Sequence, residues 1–341
     1  MARRIGVSIA TVSRALNPRT AHLVSARTRA RVRAAATEMD YRPNVLATAL
    51  AGAETHVVGV LTSEFRSGHT AALLGALQDE LCLQDYWPML AGTSSWRESR
   101  HAAFNALISR KVDGLVVLPA LSKDPVVDEI IQRGIPAVVA YGRSGCPTIP
   151  SITVDDKAAM HDIVRYLAGL GHRKLICVTG PRQVHAAESR TSAFLHACKA
   201  RRGDGLSFNV VETEGFGQET AASAVTTLLA MRNVPTAIVA VSDTLALGCI
   251  DELERRGVAV PREFSVVGFG DIPMMSRLTC PLTTIAVPAA RIGREAGRCL
   301  LSLLAGEPHD DVLLRAQLVV RKSTDVPRAA GVQPRQEVDS E

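Results

Sequence analysis

Ile9, Ala10, Ser13 and Arg14 are spaced to share one face of a helix, with Val12, Ala15 and Leu16 on the other face. The first face could read nucleic acid. An arginine there can span a guanine edge with two donors, which discriminates against a wrong base by about 1–3 kcal/mol. Gly6 stands where a tight turn would precede the helix, and Ser8 where an N-cap hydroxyl would accept from the next turn. The segment GVSIATVSRALN, residues 6–17, therefore reads as the turn and reading helix of a helix-turn-helix, with Ser8, Thr11 and Asn17 as further candidate contacts. A short amphipathic helix in any globular domain would show the same spacing, so its neighbours must decide.

Those neighbours are basic. VSARTRARVRAAATEMDYRPN offers Ser25 as an N-cap before a helix with Val32, Ala35, Ala36 and Met39 on one side, closed by the turn at Tyr41, Arg42 and Pro43. Residues 1–42 hold nine arginines, no lysine, and only Glu38 and Asp40 as acids, a charge of +7 in a chain whose total is +5. The remaining residues sum to −2. A segment of this kind is the electrostatic footprint of a module that contacts phosphates. A solvated arginine-rich helix would explain the charge but not its company.

The rest of the 341 residues must supply positioning elements of another kind. A content of 47% hydrophobic and 4% aromatic residues suits Ala/Val/Leu-rich α/β packing. VVGVLT at 57–62 precedes a helical pattern with Leu73, Leu74, Leu77 and Leu81 on one side, and GLVVLP, AVVAY, LICVTGP, AIVAVS and SVVGFG repeat the theme. Continuous apolar strands between helices imply parallel sheets covered on both faces, and the number of units implies two sheets. Ligands of such sheets bind beyond the carboxyl ends of the strands. Those ends carry Thr62 and Ser63, Asp155 and Asp156, Ser242 and Asp243, and Gly270 and Asp271. Asp156 and Asp243 are equally suited to capping helices.

Several chemistries are not written in the chain. It has no G-x-x-x-x-G-K-[ST], no G-x-G-x-x-G at a strand-to-helix turn and no G-x-S-x-G, and GFGD lacks the third glycine of a dinucleotide site. The nine histidines show no metal-ligand spacing, and His172 reads as a turn residue at a helix end. The expectation is no enzyme, cofactor or metal; a nicotinamide-dependent oxidoreductase is the nearest enzymatic alternative. Seven cysteines without a C-x-x-C pair read as reduced core thiols. No apolar run reaches about 18 residues and no secretory signal is legible, so a cytoplasmic protein without a membrane partner is expected.

GVSIATVSRALN, VSARTRARVRAAATEMDYRPN and the following VLATALAG resemble the headpiece of the LacI/GalR family of bacterial transcriptional regulators. The resemblance continues through VDDKAAMHDIVRYLAGLGHRKLICVTGP, SRTSAF, AVSDTLALG, VPREFSVVGFGDIP and CPLTTIAVP, and so spans residues 2–324. It implies a headpiece at 1–43, a hinge at 44–54, and a two-lobed core at 55–324 like a periplasmic binding protein. The amino-terminal lobe would hold 55–152 and 284–308, including the helical run 288–305, and the carboxyl-terminal lobe 153–281 and 310–324. A disordered tail would follow at 325–341.

By the same resemblance Ile9 and Ala10 take variable base-contacting positions and Arg14 a common arginine position. Tyr41, Asn44, Ala47 and Leu50 would also meet DNA, Leu50 as a wedge in the minor groove. A small-molecule effector, expected to be a sugar or related metabolite, would lie between the lobes near Ser63, Leu73, Asp155, Arg190, Phe216, Ser242, Asp243 and Asp271. Arg190 would grip it and Phe216 would stack on it. The family often has Asn where Ser242 stands and Asp where Gly270 stands, which lowers the polar reach expected of this site.

The implied activity is that of a homodimeric repressor on a palindromic operator. Family members carry about eight more residues ahead of Met1. Two explanations are open: a start codon further upstream, or a damaged headpiece in a small-molecule sensor that no longer binds DNA.

Overall fold

The computed structural model describes residues 1–16, 20–41, 54–62, 68–92, 98–118 and 121–327. The chain divides into two compact units, Met1–His56 and Val57–Glu341.

In the first unit, α1 (Ala2–Ile5) is followed by α2 (Ile9–Leu16), a 3₁₀ turn (Ala21–Leu23) and α3 (Ala26–Glu38). Gly6 ends α1 in the left-handed conformation, at φ 66° and ψ 38°, where a side chain would be strained. Ser8 Oγ accepts from the Thr11 N–H at 3.1 Å and so begins α2. Val12, Ala15 and Val32 form the buried centre, with Ile5, Val7, Leu16 and Val24 packed against them. Ser25 caps α3 by accepting from the Thr28 N–H. Arg31 donates to the Ile5 carbonyl at 2.7 Å, which ties α3 to the end of α1. Met39, expected on the packed face, is instead 42% exposed, because α3 stops at Glu38 and Met39 is its C-cap. The chain then turns through Asp40, at φ 42°, and the Tyr41 N–H bonds back to the Ala36 carbonyl at 2.8 Å. The closing turn thus precedes Arg42 and Pro43, which lie outside the described residues.

The second unit contains two six-stranded sheets. The first has the order β11-β5-β4-β3-β1-β2, built from β1 (Val57–Thr62), β2 (Trp87–Gly92), β3 (Gly114–Val117), β4 (Ala137–Ala140), β5 (Ser151–Val154) and β11 (Val312–Leu314), all paired parallel. The second has the order β12-β10-β9-β8-β6-β7, built from β6 (Lys174–Thr179), β7 (Ser207–Glu212), β8 (Ala237–Ala240), β9 (Ser265–Gly270), β10 (Thr283–Ala286) and β12 (Gln317–Val319). Only the β10–β12 pair is antiparallel. β3, β4, β8 and β9 are buried along their whole length, which is why they read as unbroken apolar runs.

Helices α4 (Gly68–Cys82), α5 (Glu98–Ile108), α6 (Pro125–Arg133) and α11 (Ala289–Leu304) accompany the first sheet. The second is covered by α7 (Asp156–Gly169), α8 (His185–Lys199), α9 (Ala221–Leu229) and α10 (Asp243–Arg255). α4 and α11 cross closely: a Cβ at Gly293 would lie 2.2 Å from the Leu73 carbonyl oxygen, and one at Gly297 3.0 Å from the Glu80 side chain. Leu73, Leu77 and Leu81 of α4 and Ile292, Ala296 and Leu300 of α11 are buried.

The strand pairings move the expected lobe boundaries. β5 extends the first sheet to Val154, β10 belongs to the second sheet, and β11 returns to the first before β12 rejoins the second. Strands of three or four residues carry too few side chains to show which sheet they join. The tail expected to be loose from residue 325 begins pinned: the Asp325 carbonyl accepts from His172 Nε2 at 2.9 Å and from Ser265 Oγ at 3.1 Å. His172, in the turn after α7, is buried, and burial pushes its pKa below the usual histidine value. Among the described residues no helix is long and apolar enough to cross a membrane.

Candidate effector cleft and DNA-contacting face

The carboxyl ends of β1, β3 and β4 in one sheet, and of β8 and β9 in the other, open onto a common cleft that is partly open to solvent. Its wall includes Thr62, His69, Thr70, Leu73, Leu118 and Tyr141 from the first-sheet side. From the second-sheet side come Val184, Ala186, Arg190, Phe216, Ser242, Asp243, Thr244, Phe269 and Ile272. A few polar groups in a largely apolar cleft suit a small organic ligand.

Arg190, on α8, is held by several neighbours. Its Nε donates to Asp156 Oδ1 at 3.2 Å and its Nη1 to the Val241 carbonyl at 2.9 Å. The guanidinium carbon stands 3.9 Å from the centre of the Phe269 ring, within cation–π range. Nη2 has no partner among the described residues. Held on three sides, the guanidinium keeps one edge for an incoming acceptor. Phe216 is fixed by close approach to Gly180, where a Cβ would lie 2.7 Å from its Cζ.

His69, in the first turn of α4, lies against Tyr141 with ring centres 6.2 Å apart. Burial first and the nearby Arg190 charge second push its pKa down to about 4, against the opposing pull of Asp271, so it is neutral at pH 7. Tyr141 adopts φ 59°, an uncommon conformation for a side-chain-bearing residue.

Of the eight positions expected near an effector, Leu73, Arg190, Phe216, Ser242 and Asp243 line the cleft, and two, Asp155 and Asp271, do not. Asp155 is not on the wall: its carboxylate accepts from the Ala158 N–H at 3.0 Å and caps α7, the role considered for Asp156. Asp156 instead orients Arg190. Asp271 is also absent from the wall, because its carboxylate takes Arg321 Nη2 at 2.6 Å, a partner 50 positions away. The cap of α10 is Ser242, whose Oγ accepts from Leu245 N–H at 3.2 Å, and not Asp243. Asp243 is fully buried and accepts from the Ile272 N–H at 2.8 Å and from the Thr284 hydroxyl, while burial raises its pKa. Its carboxylate thus fastens β10 and the 272 loop to α10. Ser63 lies outside the described residues. His69, Tyr141 and Phe269 were not singled out in the sequence, although Tyr141 and Phe269 each end an apolar run.

On the first unit, Ile9 is 80% exposed, and Ala10, Ser13 and Arg14 of α2 face solvent beside it. The Arg14 guanidinium has no partner among the described residues. Ser8 and Thr11 are engaged with one another, their hydroxyls 2.9 Å apart, so both act first in starting α2. Tyr41 is 44% exposed. Asn17, Asn44, Ala47 and Leu50 lie outside the described residues.

A small helical unit with an exposed arginine-bearing helix face, joined to a two-sheet core whose strand ends open onto a cleft, fits a ligand-responsive DNA-binding regulator. Comparison with known proteins agrees. Residues 1–44 match the model of the bacterial regulatory proteins of the lacI family, and residues 164–324 match the periplasmic binding protein-like domain. The chain is 33% identical over 340 residues to the HTH-type transcriptional regulator MalR of Streptomyces coelicolor, covering 95% of each. It is 29% identical over 329 residues to the HTH-type transcriptional repressor CytR of Escherichia coli K12, again covering 95% of each. Among solved structures it resembles the Lac repressor dimer bound to operator and the anti-inducer ONPF, with TM-score 0.81, 28% identity, and coverage of 95% of this chain and 97% of that one. The CelR–cellobiose complex matches with TM-score 0.72 and 25% identity over 94% and 98% of the two chains. The chain belongs to the lacI family of bacterial transcriptional regulators.

Proposed function

We propose that this chain is a homodimeric repressor that binds a palindromic operator in the cytoplasm and is released from it, or recruited to it, by a small metabolite in the cleft. The observation that carries the reading is the α2 face, where Ile9 is 80% exposed beside an Arg14 whose guanidinium has no partner among the described residues. An apolar side chain and a bare guanidinium side by side suit base edges better than water. Asn44, Ala47 and Leu50 are read as further DNA contacts, Leu50 as the minor-groove wedge, and a palindrome needs two such units. The edge strand β2 exposes Trp87 and Leu90, with Leu83 just before it, and supports self-association through that side.

The effector is a sugar or a related ring-bearing metabolite. Arg190 offers one edge to an acceptor, and Phe216 and Tyr141 bring aromatic rings to the same wall. The cleft is read as a binding site and not an active site, because the one carboxylate on its wall among the described residues, Asp243, is already committed to Ile272 and Thr284. Coupling between cleft and operator in such systems amounts to about 1–3 kcal/mol.

An electrophoretic shift with a palindromic operator, run across salt concentrations and a metabolite panel, tests this. The expected result is salt-dependent binding that changes at least about fivefold with one metabolite. Salt-dependent binding unaltered by every metabolite would remove the effector part. No DNA binding at all would leave a small-molecule sensor.

A further inference from the structure

The cleft wall is short of acceptors for a ligand's hydroxyl protons. Among the described residues it has one carboxylate, Asp243, and no amide side chain. Asp243 is taken by the Ile272 N–H and the Thr284 hydroxyl, and Ser242 Oγ by the Leu245 N–H. A neutral polyol needs acceptors for its protons as well as donors for its oxygens, whereas an ionised carboxylate or phosphate needs donors alone. Arg190 bonds Asp156 through Nε and the Val241 carbonyl through Nη1, two separate partners, so no carboxylate holds the guanidinium by two parallel bonds. The edge that remains at Nη2 suits an oxyanion.

His69 reaches the same wall from α4. A Cβ at Gly270 would lie 3.6 Å from its Nε2 and 3.0 Å from Asp243 Oδ2, so the imidazole meets bare backbone of β9. Among the described residues, the charged and titratable groups around it are Arg190 from α8, Asp243 from α10, Asp271 after β9 and Tyr141 after β4. Both acids are already bonded, Asp243 as above and Asp271 to Arg321.

We propose that the effector carries an oxyanion, a carboxylate or a phosphate ester, which binds the open edge of Arg190, and that His69 separates such an acid from its neutral parent by taking a proton from solvent as the anion arrives. The inference rests on the effector reading and names its ligand class. Burial and the Arg190 charge keep the imidazole neutral at pH 7; an anion beside it offsets the second cause and favours the imidazolium, which a neutral sugar cannot do.

Inorganic sulfate is the first probe. In the full chain the His69 ring resonance, identified by its loss in His69→Gln, should report a proton affinity at least about tenfold higher in sodium sulfate than in sodium chloride of equal ionic strength. Identical titrations in the two salts would overturn the proposal. Calorimetry then compares glucose with glucuronate and glucose monophosphate, and galactose with galacturonate, which also separates carboxylate from phosphate. An acid of at least one set should bind at least about tenfold tighter than its parent sugar. A uronate that binds should tighten about twofold from about pH 8 to about pH 5, the linkage that a tenfold gain in proton affinity produces, and His69→Gln should remove that dependence. A parent sugar that binds as tightly as its acid, or a pH dependence untouched by His69→Gln, would refute the inference and leave the effector reading intact. If no metabolite alters operator binding, the effector reading falls, and the sulfate titration still decides whether this wall takes an oxyanion.

Discussion

At the scale of single residues, the two sites differ in how much of their chemistry is already engaged. Arg14 has no side-chain partner among the described residues, so Arg14→Ala should cost about 1–3 kcal/mol of operator affinity and relax specificity at one base pair, measured by titrating operators with single substitutions. Arg190 is committed on three sides, and Lys cannot reproduce a guanidinium that stacks and bonds at once. Arg190→Lys should weaken effector binding by at least tenfold in calorimetry while the protein remains folded. His69 carries a pH signature. Its folded pKa of about 4 lies below the ordinary 6.5, so the unfolded chain takes up the proton first. Stability is therefore full above pH 6.5 and falls as the pH drops towards 4. His69→Gln should flatten that part of a denaturation series. The roles of Asp243 and Asp271 escaped the sequence for a simple reason: Thr284 and Arg321 lie 41 and 50 positions downstream.

At the scale of elements, periodicity was a good guide where one face is buried and the other wet. α2 is the clearest example, with Val12 and Ala15 inside and Ile9, Ala10, Ser13 and Arg14 outside. Ser25 and Ser8 were legible as caps because a hydroxyl before an apolar pattern has few other uses. Tyr141 and His69 were not, since a tyrosine after a strand and a histidine in a helix have many. The α4–α11 crossing was legible only as two apolar stripes; the glycines that let the backbones touch have no pattern of their own. Gly293→Ala puts a methyl against the Leu73 carbonyl and should destabilise the core by about 1–3 kcal/mol in urea unfolding. Ser25→Ala should cost about 1 kcal/mol, confined to the first unit.

At the scale of the whole molecule, two sheets flanked by helices followed from alternating apolar runs and helical patterns, whereas the allocation of β5, β10, β11 and β12 did not. Self-association is tested at the same scale. Trp87→Arg with Leu90→Glu should shift the chain towards monomer in sedimentation velocity, with a matching loss of affinity for the palindrome. A chain that stays dimeric would move the interface elsewhere.

The allocation of the short strands has a mechanical consequence. The polypeptide passes between the two sheets at residue 155, at 287–288 and again at 315–316, and the first and third passages are joined by the Asp155 N–H to the Leu314 carbonyl at 2.9 Å. Three separate connections resist pulling the halves apart. A protease that cut any one of them would leave both halves attached by the other two, so the nicked protein should still migrate as one particle until denatured.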